Sequence, residues 1–413
     1  MSALFDTVET IVLFIVVLGG IVLFHEFGHF VTSRLARVRV LEFGVGFPPR
    51  AKVLGVGGTD PQDTAWWEEE RRRMLLQAQG DPDAIAAVEA IEPPKGTEYT
   101  LNWLPIGGFV KLEGEDGDAE TNPRSFVRAR LPIKLLILVA GVFMNLILSM
   151  AIFTSIAWLA TPYLGVKFAV VDPGSPAQQA GLVGGDALIS LNGREYDFFA
   201  PYSGGTILQD LRASAGKPVT LGILHADGTR TQVSVTLRTQ AEIDAGQGAL
   251  GIRAGTGGFE SVFLPESTGR PLDKAASIGV NETFRWFGLI LSGLGDLGRS
   301  IVSNPTAAPP VSGPVGIATS LGDVFRNSGP IMTLYVAGIL SANLALVNFL
   351  PFPPLDGGRM LVLILKAIPR YGAKISQRAE RLTYAIGFLA LFGFLIWVTV
   401  FDVIRQVGGT PTP

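Results

Sequence analysis

Ile21-Val22-Leu23-Phe24-His25-Glu26-Phe27-Gly28-His29-Phe30 is the stretch whose reading decides the fold. The run from Ile11 to Phe24 has no polar side chain, so the H-E-x-x-H pattern closes a hydrophobic segment rather than a soluble helix. From Thr10 to Ser33 the segment is about 24 residues, roughly 36 Å as a helix, enough to cross a bilayer. On a helix His25 and His29 lie one turn apart on the same face. Their imidazoles are then placed to share one Zn²⁺, with Glu26 between them as general base toward a water that the metal activates. A buried polar cluster without metal is the competing reading. It leaves unexplained why ionisable groups stand at membrane depth, where each costs several kcal/mol.

Composition agrees with a membrane chain. Of 413 residues 48% are hydrophobic and 17% charged, with a net charge of −3. There is no basic excess and so no sign of a nucleic-acid partner. Cysteine is absent, which removes disulfides, thiolate ligands and a cysteine nucleophile together. The first hydrophobic segment has no basic leader and no small-residue cleavage site, so it reads as retained.

Further spans are expected at Leu131 to Ala160, Ile331 to Leu350 and Tyr384 to Phe401. Arg34, Arg37 and Arg39 follow the first span, and Arg124, Arg128, Arg130 and Lys134 sit where the second begins. Lys366, Arg370, Lys374, Arg378 and Arg381 fill the link before the fourth. These basic groups fall on one side if both termini and the loop after span two are outside, with the histidines toward the cytoplasmic side.

Between the spans, Leu54 to Lys95 reads as a charged, solvated helix pair without chemistry of its own. Glu98 to Leu112 reads as a β-hairpin turning at Pro105-Ile106-Gly107-Gly108. Such a hairpin either offers an edge strand to an unwound substrate or packs only on its own domain. Gly165 to Ala254 reads as an α+β module, with strands at Pro218 to Leu224 and Gln232 to Leu237 joined at Asp227-Gly228. Phe259 to Ser303 reads as amphipathic and interfacial, broken by Gly288, Gly293 and Gly295, and 304–310 as a Pro/Ala-rich linker.

A catalytic zinc usually takes three protein ligands. The remaining histidine, His225, stands beside the Asp227-Gly228 turn outside the membrane, so a carboxylate must complete the set. Neither span two nor Ile331 to Leu355 contains one. The next is Asp356, in Asn348-Phe349-Leu350-Pro351-Phe352-Pro353-Pro354-Leu355-Asp356-Gly357-Gly358. An N-cap role for Asp356 is the alternative.

H-E-F-G-H, the hairpin, Ser312-Gly313-Pro314-Val315-Gly316 and the N-x-x-P…L-D-G-G motif together resemble the site-2 protease family over nearly the whole chain. More narrowly they resemble its bacterial branch that cuts anti-sigma factors, the RseP type. The S-P-A-x-x-A-G-L…G-D…N-G pattern from Ser175 to Gly193 resembles a PDZ domain, whose groove binds an extended C-terminus by β-addition. The resemblance implies zinc on His25, His29 and Asp356, one ion per chain, with Glu26 as the base. It further implies that Asn348 helps hold the substrate backbone or the tetrahedral intermediate. The family's A-G-P-x-x-N is matched by Ala140-Gly141-Val142-Phe143-Met144-Asn145, which makes Asn145 a substrate-binding candidate, interhelical glue being the other reading. Val142 replaces the motif's proline.

The expected architecture is a polytopic α-helical membrane protein of about four transmembrane helices, with a membrane-associated β-hairpin and one inserted PDZ-like α+β domain. Its expected parts are a first transmembrane segment with the zinc motif (1–53), a charged insert (54–96), the hairpin region (97–130) and a second transmembrane segment (131–163). A PDZ domain (164–255), an interfacial region and linker (256–328), and the last two segments with L-D-G-G (329–413) complete it. The expected function is regulated intramembrane proteolysis at a bacterial inner membrane. Its expected partners are single-span substrates, foremost anti-sigma factors and then signal-peptide remnants, the lipid bilayer, and an upstream site-1 type protease. A catalytically silent PDZ scaffold is the alternative, and it needs neither Glu26 nor a third ligand.

Overall fold

The computed structural model describes residues 2–78, 80–115, 122–199, 205–255, 259–303, 309, 311–369 and 375–407. Along the chain run α1 (Ser2–Leu35), β1 (Val40–Val56), α2 (Pro61–Gln77), α3 (Pro82–Glu89), β2 (Glu98–Leu112) and α4 (Leu131–Leu159). Next come β3 (Thr161–Lys167), β4 (Val170–Val171), α5 (Pro176–Gln179), β5 (Ala187–Leu191), β6 (Arg194–Glu195) and α6 (Ile207–Ala213). They are followed by β7 (Pro218–Leu224), β8 (Arg230–Thr236), α7 (Gln240–Asp244), β9 (Ile252–Arg253) and β10 (Glu260–Thr268). The chain ends with α8 (Leu272–Ser303), α9 (Pro314–Phe349), α10 (Asp356–Ala367) and α11 (Gln377–Val407). Of the linker expected at 304–310 only Pro309 is described, and Arg370 and Lys374 of the basic link lie outside the described residues.

Among the described residues four helices are long and apolar enough to cross a bilayer: Phe5–Leu35, Leu131–Leu159, Pro314–Phe349 and Arg378–Gln406. The third begins well before the expected Ile331. It is two helical pieces joined at Gly329, which takes φ 77° ahead of Pro330. Proline has no N–H to donate and disfavours a helical residue before it, so the chain kinks there and resumes.

The chain divides into two compact units, one of residues 1–150 with 283–413 and one of residues 151–282. In the first unit the expected hairpin is corrected. The two arms of β2 do not pair with each other, because β1 lies between them: Phe43 pairs with both Val110 and Tyr99, Gly44 with Phe109 and Thr100, Val45 with Gly108 and Leu101. Gly44 fits there because a Cβ would meet the Phe109 ring and, at 2.9 Å, the Asn102 amide. The turn of β2 rests on α1, with Gly107 and Gly108 against Val22 and Leu23.

The charged insert forms the two expected helices, each opened by an aspartate cap and a proline. It is not merely solvated. Asp63 is buried and pairs with Arg124 at 2.9 Å and Arg39 at 3.5 Å, while Arg39 also holds Glu113 at 3.0 Å. Burial pushes the Glu113 carboxyl up, against the Arg39 guanidinium that lowers it. This network ties the insert to the end of α1 and the end of β2.

The second unit is built on the sheet order β10-β3-β5-β7-β8, with β6 beside β5. Its core holds Phe168, Leu188, Leu221, Ile223 and Leu250. The expected β7–β8 hairpin is present, Pro218 opposite Thr236 through Leu224 opposite Arg230. Two expectations change. Residues 260–268, expected in an interfacial stretch, are a strand paired with β3, so the module extends past 255. The glycines at 288, 293 and 295 do not break α8, which is one 32-residue helix. Glycine costs a helix only about 1 kcal/mol each, and packing such as the 2.9 Å bond from Trp286 Nε1 to the Tyr335 hydroxyl offsets it.

Candidate metal centre

Three donor atoms converge in the first unit. His25 Nε2 stands 3.0 Å from Asp356 Oδ2, His29 Nε2 3.3 Å from the same oxygen, and the two Nε2 atoms are 3.1 Å apart. Both histidines come from α1, one turn apart as their spacing requires. Asp356 comes from the first residue of α10 and spends its carboxylate on the imidazoles; no side-chain cap bond is made at that helix start. The N-cap alternative is therefore not what the structure shows. The Asp356 turn is held close because a Cβ on Gly357 would strike the carbonyls of Phe349 and Leu350.

The protonation pattern can be worked out from the outer partners. His29 Nδ1 lies 2.8 Å from the Ile137 carbonyl, which only accepts. Nδ1 must carry the proton, which leaves Nε2 a lone pair aimed at the shared point. His25 Nδ1 is 3.3 Å from the Asn145 side-chain nitrogen, while the Asn145 oxygen is buried without a partner. Amide oxygen and nitrogen are assigned by their hydrogen bonds. Exchanging them satisfies the orphaned oxygen on His25 Nδ1–H and frees Nε2 in the same way. Two lone pairs and a carboxylate oxygen within 4.8 Å of one another fit a divalent cation and repel without one.

One stripe of α4, at Ile137, Gly141 and Asn145, faces this pair. A Cβ on Gly141 would lie 2.7 Å from His25 Nε2 and closer still to His29 Nε2, and one on Gly28 would lie 2.5 Å from the Ala140 carbonyl. Small residues let the two helices approach. Sequence reasoning noted Ala140-Gly141 as a motif without finding this role; two adjacent small residues in a span, four positions before a polar one, were the available signal.

Glu26 is half-buried, and its carboxylate is within electrostatic reach of His29, His25, Asp356 and Glu115. Asn145 is fully buried against His25, and its backbone carbonyl accepts from Ser341 Oγ at 2.8 Å. That placement favours orienting a ligand over touching substrate. Replacing Asn145 with alanine should weaken metal affinity about ten- to hundredfold, the usual effect of losing an outer partner. Competitive chelator titration reads this, and unchanged affinity would return Asn145 to a helix-packing role. Asn348 is half-buried in the last turn of α9, and no hydrogen bond links it to His25, His29 or Asp356.

These features sit inside a family. The sequence profile of Peptidase family M50 matches residues 13–59 and 88–394, and the chain belongs to that family. The residues skipped are nearly those of α2 and α3. The chain is 27% identical to zinc metalloprotease RasP of Geobacillus kaustophilus, over 96% of this chain and 98% of that one. Proteins of Clostridium acetobutylicum and Rhizobium meliloti, both carrying zinc metalloprotease names, are each 28% identical over 96% of this chain and 98% of their own.

Proposed function

We propose that this protein is an intramembrane zinc metalloprotease, and the convergence of His25, His29 and Asp356 is the observation that carries the reading. The three side chains hold one zinc, the metal named for the relatives. When bound, zinc lowers the pKa of water toward about 7 and polarises a scissile carbonyl. Glu26 takes the proton and returns it to the leaving amine. The outer hydrogen bonds from Ile137 and Asn145 hold both imidazoles in the ligating tautomer.

The substrate class is single-span membrane proteins, with anti-sigma factors foremost and signal-peptide remnants next, after an upstream site-1 type protease has trimmed them. A helical peptide bond is shielded by its own hydrogen bonds, so the segment must unwind, and the exposed strand residues of β1 offer it a pairing edge. Asn348, eight positions before Asp356, is assigned to hold substrate backbone. Cleavage of a panel of single-span proteins by the purified enzyme, abolished by chelation and restored by zinc, tests the assignment; a chelator-resistant activity sinks it.

The second unit is read as a PDZ-like module, supported by the Ser175-capped helix and the antiparallel sheet. Saturable binding of peptides with a free C-terminus, lost on amidation, checks that reading. The basic ends of the spans support a location in the bacterial inner membrane with both termini and the module outside. Impermeant thiol reagents on intact cells should label Gly228→Cys and spare Leu76→Cys, both positions being exposed in a chain without cysteine. The opposite pattern inverts the topology.

A further inference from the structure

A cavity of about 640 Å³ opens at the basic end of the first unit, between the start of α4, α10 and the start of α11. Four cations line it, Lys134, Arg359, Lys366 and Arg381, against two carboxylates, Glu115 and Glu380. Arg359 pairs with Glu115, and Lys366 with Glu380 at 2.6 Å. Lys134 gives one N–H to the neutral Val127 carbonyl at 2.7 Å. The lining therefore keeps a net positive charge in a concave site whose remaining wall is apolar, with Phe126, Leu138 and Leu363.

We propose that this cavity binds the phosphate headgroup of an anionic membrane lipid. Three observations agree on that occupant. The volume is that of a small-molecule site. Lys134 and Arg381 stand in the first turns of α4 and α11, two helices long and apolar enough to span, which is the depth of lipid phosphates, and basic pockets there take anionic headgroups. The apolar surface also continues along α11 on the face of the lining residue Tyr384, where Phe388, one turn further on, is 57% exposed, a track for acyl chains that a soluble anion would not need. Arg359 lies one turn after Asp356 on α10, so the bound headgroup touches the helix that carries the third metal donor.

The test uses the full-length protein in mild detergent, titrated with short-chain phosphatidylglycerol and read by native mass spectrometry. Phosphatidylcholine and inorganic phosphate are the comparison probes. Phosphatidylglycerol should bind in preference to both. The Lys134→Gln/Lys366→Gln variant should bind it roughly 30-fold more weakly, at about fivefold per lost charge, with zinc content unchanged. The Lys134→Arg/Lys366→Arg variant, which keeps the charge, should retain binding. Equal binding of phosphatidylcholine, or undiminished binding by the glutamine variant, overturns the site. Displacement of the lipid by an equal concentration of inorganic phosphate overturns the lipid assignment in favour of a soluble anion.

Discussion

Glu26→Gln should leave bound zinc near one per chain while cleavage falls by about a thousandfold. General-base groups contribute between about 10² and 10⁴ to rate. The amide is close to the carboxylate in shape but has no basic oxygen to take a proton from water. Glu26 stands between the two histidines without being one of the three convergent donors, so its loss should separate chemistry from metal binding. His25→Ala, His29→Ala and Asp356→Ala should fail in the opposite order. Each removes one donor of three and should lower zinc affinity on the order of 100-fold or more, beyond the effect of losing an outer partner. Metal content by mass spectrometry beside a cleavage assay resolves the two classes. Near-normal cleavage by Glu26→Gln would assign the base elsewhere, and full zinc in Asp356→Ala would remove that carboxylate from the metal.

Gly141→Ala should abolish zinc binding and cleavage, although helix propensity alone would make it stabilising by about 1 kcal/mol. The added methyl points at both imidazoles and lands 2.7 Å from two atoms of His25, well inside van der Waals contact. His29 cannot retreat without stretching its bond to the Ile137 carbonyl, nor His25 without leaving Asn145. Overpacking of this kind costs about 1–3 kcal/mol, and here it falls on the geometry of the donors. Gly20→Ala, on α1 where an added Cβ meets nothing within 4 Å, is the matched control and should be neutral. Normal zinc content in Gly141→Ala would show that α1 and α4 can separate without cost.

The convergence of His25, His29 and Asp356 was largely legible in the sequence. Two histidines at i and i+4 with a glutamate between them, closing an apolar run, define their own geometry through the helix repeat. The absence of cysteine and the scarcity of carboxylates near the spans left Asp356 as the third donor by elimination. The four apolar segments were legible for the same reason, since bilayer thickness sets a length that a local window can read.

What failed were readings that depend on partners distant in sequence. The arms of β2 looked like a hairpin because turn residues join them, yet the strand that separates them comes from some 60 residues earlier. Residues 260–268 looked interfacial because their pairing partner, β3, stands about 100 residues upstream. The buried Asp63 looked solvated because its guanidinium partners, Arg39 and Arg124, lie in other segments. By itself the sequence determined the apolar spans and singled out the candidate donors and base, because each rests on local periodicity or on which residue types exist at all. The tertiary structure alone decided the tautomers of His25 and His29, the need for glycine at 141 and the strand order of both sheets. Those depend on which atoms of one helix or strand face another, and a linear pattern does not carry that.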